Sequence, residues 1–149
     1  MTNIPSHRPA IPASVLIYGV LGLIPFLAPP LAALTFPALK PASSMVLAVY
    51  GGLILSFLGG ARWGLAIRSS SPSGLTVSIA MVPTLAALAL LVAMPGHPGW
   101  RLAGLAGALA VHWLWDLGSD GLPPWYPALR TMLTGGAVAG LLLGAAVLP

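Results

Sequence analysis

The amino-acid sequence predicts an all-α integral membrane protein, a single bundle of five transmembrane helices. Three observations lead there. Hydrophobic residues make up 58% of the chain and charged residues 5%, where a soluble domain is about a quarter charged. Mean hydropathy is +0.97. Five apolar stretches approach the ~20 residues that a helix needs to cross the hydrocarbon core. Such a chain cannot coat itself with a water-facing surface, which excludes an ordinary cytosolic domain and a disordered tail.

The first stretch, residues 13–28, is closed by Pro29 and Pro30. A signal peptide would pass from a short apolar region to a small-residue cleavage site. Here further spans follow and prolines stand in the leading segment, so the first stretch reads as a retained helix. A second apolar piece, residues 31–39, precedes Lys40; it extends the first helix beyond a kink or lies along the interface. The remaining spans are residues 43–67, 75–94, 98–117 and 127–148. Pro83 interrupts the third and kinks it, with Thr84 and Ser78 in place to satisfy a freed carbonyl. The links, residues 68–74, 95–97 and 118–126, are rich in Ser, Gly and Pro. Links this short make neighbouring helices antiparallel and leave no soluble domain, so residues 1–149 form one polytopic unit. No internal repeat is evident, which weakens an inverted-repeat transporter.

Loop cations set the orientation. One side collects Arg8, Arg62, Arg68 and Arg130, the other Lys40 and Arg101. The N-terminus is therefore expected in the cytoplasm and the C-terminus outside. Trp100, Trp125 and Tyr126 adjoin span ends, where amphipathic rings anchor at the headgroup level.

Composition also excludes chemistry. Net charge is +4 without a basic run, so no nucleic-acid partner is expected. The absence of Cys removes thiol catalysis, disulfides and Cys-ligated metals. No metalloprotease or phosphate-loop motif occurs. His112 is the only histidine inside a span, His7 and His97 lying in loops. A haem would need a different second ligand, and neither a cofactor nor a metal is expected.

Small residues recur four apart in two spans. Gly52, Ser56, Gly60 and Gly64 line one face of the second; Gly136, Gly140 and Gly144 line the fifth. Such ridges let another backbone come close, either within the bundle or at a dimer or partner interface. Arg62 lies half a turn from the first ridge, which puts this helix centrally in the bundle. His112 and Asp116, four apart, share one face of the fourth span. Alternation of spans brings their end to the side that carries Arg62. Ionisable groups inside a membrane are costly and usually paired, so Arg62, His112 and Asp116 are expected to form one polar cluster. It is either a salt bridge locking the second and fourth spans or a proton relay, an ion or substrate site, or a contact with a quinone or lipid headgroup. Pro123-Pro124-Trp125-Tyr126 matches the short motif bound by WW domains, though a tight interfacial turn accounts for it better.

The run Tyr50-Gly51-Gly52-Leu53-Ile54-Leu55-Ser56-Phe57-Leu58-Gly59-Gly60, followed by Trp63-Gly64, resembles the second-span signature of a bacterial inner-membrane family, domain of unknown function 3429. The family's animal relatives are transmembrane protein 69-like mitochondrial proteins. Gly121-Leu122-Pro123-Pro124-Trp125-Tyr126, with Leu129-Arg130 and Leu133-Thr134, resembles its last-loop signature. An opening Ile-Pro pair and Gly22-Leu23-Ile24-Pro25-Phe26 fit its order, so the resemblance covers nearly the whole chain. It implies a multi-span inner-membrane protein and singles out Ser56, Phe57, Gly59, Gly60, Trp63, Gly64, Trp125, Tyr126 and Arg130. It implies no activity.

The small-residue faces, small size and scarcity of chemical groups favour a non-catalytic accessory subunit or assembly factor, docked in the bilayer to a larger complex or its own copies. The alternative is a small carrier or channel, in one form proton-linked, built around Arg62, His112 and Asp116. No nucleophile–base pair can be named, so no enzyme is expected.

Overall fold

The computed structural model describes residues 10–149 apart from Pro95 and Asp120. Arg8 in the charge count, His7 as a loop residue and the N-terminus, for which the loop cations predict a cytoplasmic side, lie outside the described residues. The described residues are 82% helical and contain no strand. In chain order the helices are α1 (Ala13–Leu21), α2 (Ile24–Thr35), α3 (Lys40–Ala66), α4 (Gly74–Ala93), α5 (Pro98–Leu117) and α6 (Tyr126–Val147), with a 3₁₀ turn at Pro37–Leu39 before α3.

The first span does not end where its prolines predict. Pro29 and Pro30 lie inside α2, which runs on to Thr35, and the break falls earlier, at Gly22–Leu23. Pro25 supplies the reason. It has no N–H to offer the carbonyl of Leu21, so the ladder fails there. The Phe26 N–H turns to Leu23 O, and the Gly22 carbonyl is left for the Tyr50 hydroxyl, which donates to it at 3.0 Å. Phe26 packs edge-on against the same tyrosine ring. Backbone groups released inside a membrane persist when a neighbouring helix re-satisfies them, and Tyr50 does so.

Four stretches are long and apolar enough to cross a membrane: Ala13–Thr35, Pro37–Ala66, Gly74–Ala93 and Tyr126–Val147. The fourth expected span, α5, is not among them. Arg101, His112, Asp116 and three tryptophans lower its hydropathy. Its inner face is instead buried against its neighbours, with Leu102, Leu105, Leu109, His112 and Asp116 all inaccessible, while Trp100, Val111 and Leu114 face outward.

The small residues of α3 divide between faces in a way that the four-residue spacing did not anticipate. Gly52 meets Leu91 of α4, and Ser56 shares a 3.0 Å hydrogen bond with Thr84. The next close approach comes from Gly59, where an added Cβ would lie 2.7 Å from Ala80 O and 3.2 Å from Pro83. Gly60 and Gly64 have nothing within 4 Å. The α3–α4 seam is thus Gly52–Ser56–Gly59, because a helix at 3.6 residues per turn drifts off a strict four-residue row. Thr84, expected to serve the carbonyl freed by Pro83, is engaged with Ser56, and Ser78 is exposed. The ridge of α6 is filled from inside the bundle: Gly136 receives Leu23, Gly140 the backbone of Phe26, and Gly144 receives Leu47. Leu47, Leu55, Leu102, Leu105, Leu109 and Leu141, each at most 1% exposed, close the centre.

This packing separates two glycines. Gly140→Ile drives a side chain into the Phe26 carbonyl and should cost upwards of ~1–3 kcal/mol, the usual penalty of overpacking. Gly60→Ala meets nothing and should change stability by less than ~0.5 kcal/mol. Thermal unfolding in detergent micelles checks both; equal melting temperatures would contradict the close approach of α2 to α6 at Gly140.

Candidate functional site

The C-terminal turn of α5, the first turns of α6 and the last third of α3 meet at one end of the bundle. His112 and Asp116 sit four apart on the inner face of α5, 3% and 2% exposed. Arg62 reaches in from α3, its Nε 3.6 Å from Asp116 Oδ1. The structure therefore brings the three predicted cluster residues together.

The principal partner of Asp116 is one that the cluster expectation did not include. Arg130, one turn into α6, donates from Nε to Asp116 Oδ2 at 2.6 Å. Its Nη1 donates to Thr134 Oγ1 at 2.6 Å, and its Nη2 lies 3.4 Å from His112 Nδ1. The Tyr126 hydroxyl reaches the same carboxylate oxygen at 3.5 Å. Tyr126 thus joins the knot instead of serving only as an interfacial anchor, the role its position at a span end suggested. Arg62 also donates to Ser119, which in turn donates to the Trp115 carbonyl. The Arg62 guanidinium lies 4.5 Å from the centre of the Trp115 ring, within the range of a cation–π contact.

His112 has a divided environment. Its Nδ1 stands 3.4 Å from both Asp116 Oδ2 and Arg130 Nη2. A ring nitrogen can donate to the first or accept from the second, not both. Its Nε2 is buried with no partner. Two guanidiniums against one carboxylate leave the ion-paired group with a formal surplus of one positive charge.

At the opposite end Arg101 donates to the buried Ser44 at 3.4 Å. Gly121, the only described residue besides ordinary backbone to take a positive φ (+78°), turns the chain into Pro123-Pro124-Trp125. The Tyr126 N–H closes that turn on Pro123 O, so the proline–aromatic run is the turn that leads into α6. The remaining highlighted residues lie apart from the knot. Phe57 and Trp63 stand on the outside of α3, 69% and 41% exposed. Trp125 packs at a tilt on Tyr126.

Arg130 was legible in part. It shares its end of the bundle with Arg62, and Thr134 follows it at i+4. What hid its role is that the antiparallel turn between α5 and α6, not any local pattern, sets it against Asp116.

The sequence profile of the family described as "Protein of unknown function (DUF3429)" matches residues 11–146. The chain belongs to this family. DUF3429 relatives include Transmembrane protein 69 of Xenopus tropicalis, 36% identical over 146 residues that cover 93% of this chain and 57% of the relative. Transmembrane protein 69 of Mus musculus is 40% identical over 62 residues, 42% of this chain and 25% of the relative. The chain thus spans little more than half the length of the first of these relatives. No solved structure matches it.

A buried ion pair is costly to break, because removing one partner strands the other. Asp116→Ala leaves Arg62 and Arg130 facing each other without a counter-charge. It should lower stability by roughly 3–5 kcal/mol and deplete the folded protein in membranes. Arg62→Lys, at the more exposed and longer pair, should cost less. Melting temperatures of the two variants in detergent decide; an Asp116→Ala protein as stable as the parent would show that the knot holds nothing together.

Proposed function

We propose that this DUF3429 protein is a non-catalytic component of a bacterial inner-membrane complex, an accessory subunit or assembly factor that docks through the outer face of α3. The observation that carries the proposal is the state of that face. Leu53, Phe57, Gly60 and Gly64 fall at i, i+4, i+7 and i+11, on one side of the helix. Leu53 and Phe57 are 61% and 69% exposed, and both glycines are open. Every other glycine named in the two small-residue ridges is filled from within the bundle. An open glycine notch beside aromatic side chains suits close approach of a second transmembrane helix.

The knot supports this reading. It pins the rotation of α3 from behind and so keeps the notch turned outward. The central leucine layer supports it over a carrier, since side chains close the space between the knot and the Arg101 end. In this reading α5 also crosses the membrane, as the fourth of five spans. Its 20 residues reach ~30 Å, and its polar groups are paired inside the bundle. The end holding Arg62, Arg68 and Arg130 faces the cytoplasm, which leaves the C-terminus outside.

Gly60→Leu should leave the melting temperature unchanged and release the protein from its complex when native membranes are solubilised gently and run by native mass. A parent protein that migrates alone, or a variant that keeps its company, would defeat docking at this face. The topology has its own check. Alkaline phosphatase fused after Pro149 should be active and a fluorescent protein there dark; the reverse pattern would invert the orientation.

A further inference from the structure

A lateral groove runs along the bundle beside the knot. It lies between α1, α3 and α6, encloses about 520 Å³, and falls within the ~300–1,000 Å³ typical of small-molecule sites. Two features shape it. The break at Gly22–Leu23 leaves α1 lightly packed, touching α6 at Gly19, and none of its residues is buried. Glycines at 19 and 22 keep the groove wall low. Its depth is apolar, lined by Leu23, Phe26, Ile54, Leu58, Leu133 and Ala137. Its upper end, one helical turn into α6, presents Tyr126, Arg130 and Thr134.

Arg130 is 6% exposed, and what it exposes borders this groove. A guanidinium carries five N–H donors. One each goes to Asp116 and Thr134, and a third goes to His112 when its Nδ1 accepts, which leaves at least two. Unpaired donors beside hydrocarbon are expensive, and the knot also holds two cations against one carboxylate. An oxygen anion arriving from the groove would satisfy both, as a fork of guanidinium N–H groups matches phosphate. Basic pockets between transmembrane helices take anionic headgroups on these grounds.

We propose that the groove is a binding site for an anionic phospholipid, with its phosphate against Arg130 and Tyr126 and one acyl chain lying behind α1. The occupant is identified by complementarity: apolar depth for a chain, surplus positive charge at the end where that chain meets the interface. A zwitterionic lipid or a neutral quinone offers the chain without the net charge. The groove borders the α3 notch at Phe57, but Gly60 and Gly64 do not line it, and it needs no protein partner.

The test uses the full chain in detergent, with phosphatidylglycerol and phosphatidylcholine as probes, read by native mass spectrometry and by melting temperature. Phosphatidylglycerol should be retained as a bound adduct and raise the melting temperature, with at least tenfold preference over phosphatidylcholine. Ile54→Trp and Leu58→Trp fill the groove and leave the knot untouched; each should weaken phosphatidylglycerol retention at least tenfold. Gly60→Leu should keep the lipid whether or not it keeps a partner, so failure of the docking reading and failure of this one are distinguishable. Equal retention of the two lipids by the parent protein overturns the proposal, as does undiminished retention by the folded tryptophan variants.

Discussion

A carboxylate placed where water cannot reach it must be matched by positive charge or it will not stay ionised there. Asp116 meets that demand with guanidiniums from two other helices, Arg130 at 2.6 Å and Arg62 at 3.6 Å. The consequence is geometric. α5 cannot turn without losing both partners, α6 is held at the depth of Arg130, and α3 at the rotation that points Arg62 inward. Once α3 is so turned, Gly52 and Gly59 face α4, Gly51 faces α6, and Gly60 and Gly64 face away. The distribution of small residues between inner seam and outer notch is thus set by an ion pair at one end of the molecule.

The rest of the bundle is held by close approach, because apolar burial between helices gains little when lipid is the alternative surroundings. Gly140 brings the backbone of α2 against α6, and Gly144 admits Leu47. The broken first span belongs to the same economy of contact. α2 packs, with Phe26, Pro30 and Ala33 buried, whereas α1 buries none of its residues and meets the bundle chiefly where Gly19 lies against Leu133. The Tyr50 hydroxyl caps the break between them. A groove therefore opens on the one side of the bundle where a half-helix stands off.

Which parts of the site can be read from the chain follows from the range of the rules involved. His112 and Asp116 share a helix face by local periodicity, and alternation of spans puts Arg62 at their end. Arg130, Thr134, Tyr126 and Ser119 come from a turn and a neighbouring helix whose rotation no local pattern specifies. Tyr126 reads as an interfacial anchor because aromatic rings at span ends usually are, yet here its hydroxyl turns inward. The prolines mislead for a related reason: Pro29 and Pro30 are helix breakers in water, but Pro30 is buried against the bundle and the helix continues through both.

The sequence by itself determined that the chain is helical, that it belongs in a bilayer, roughly where each helix runs, and which few polar groups would need partners. Hydropathy and helical periodicity are local, and a membrane leaves the backbone few alternatives to a helix. Tertiary structure decided the helix rotations, and with them which glycines are filled, which arginine holds Asp116, and where the first span breaks. Those outcomes depend on contacts between residues distant in the chain, such as Tyr50 with Gly22 and Arg130 with Asp116, and each exists only when the other helix is already in place.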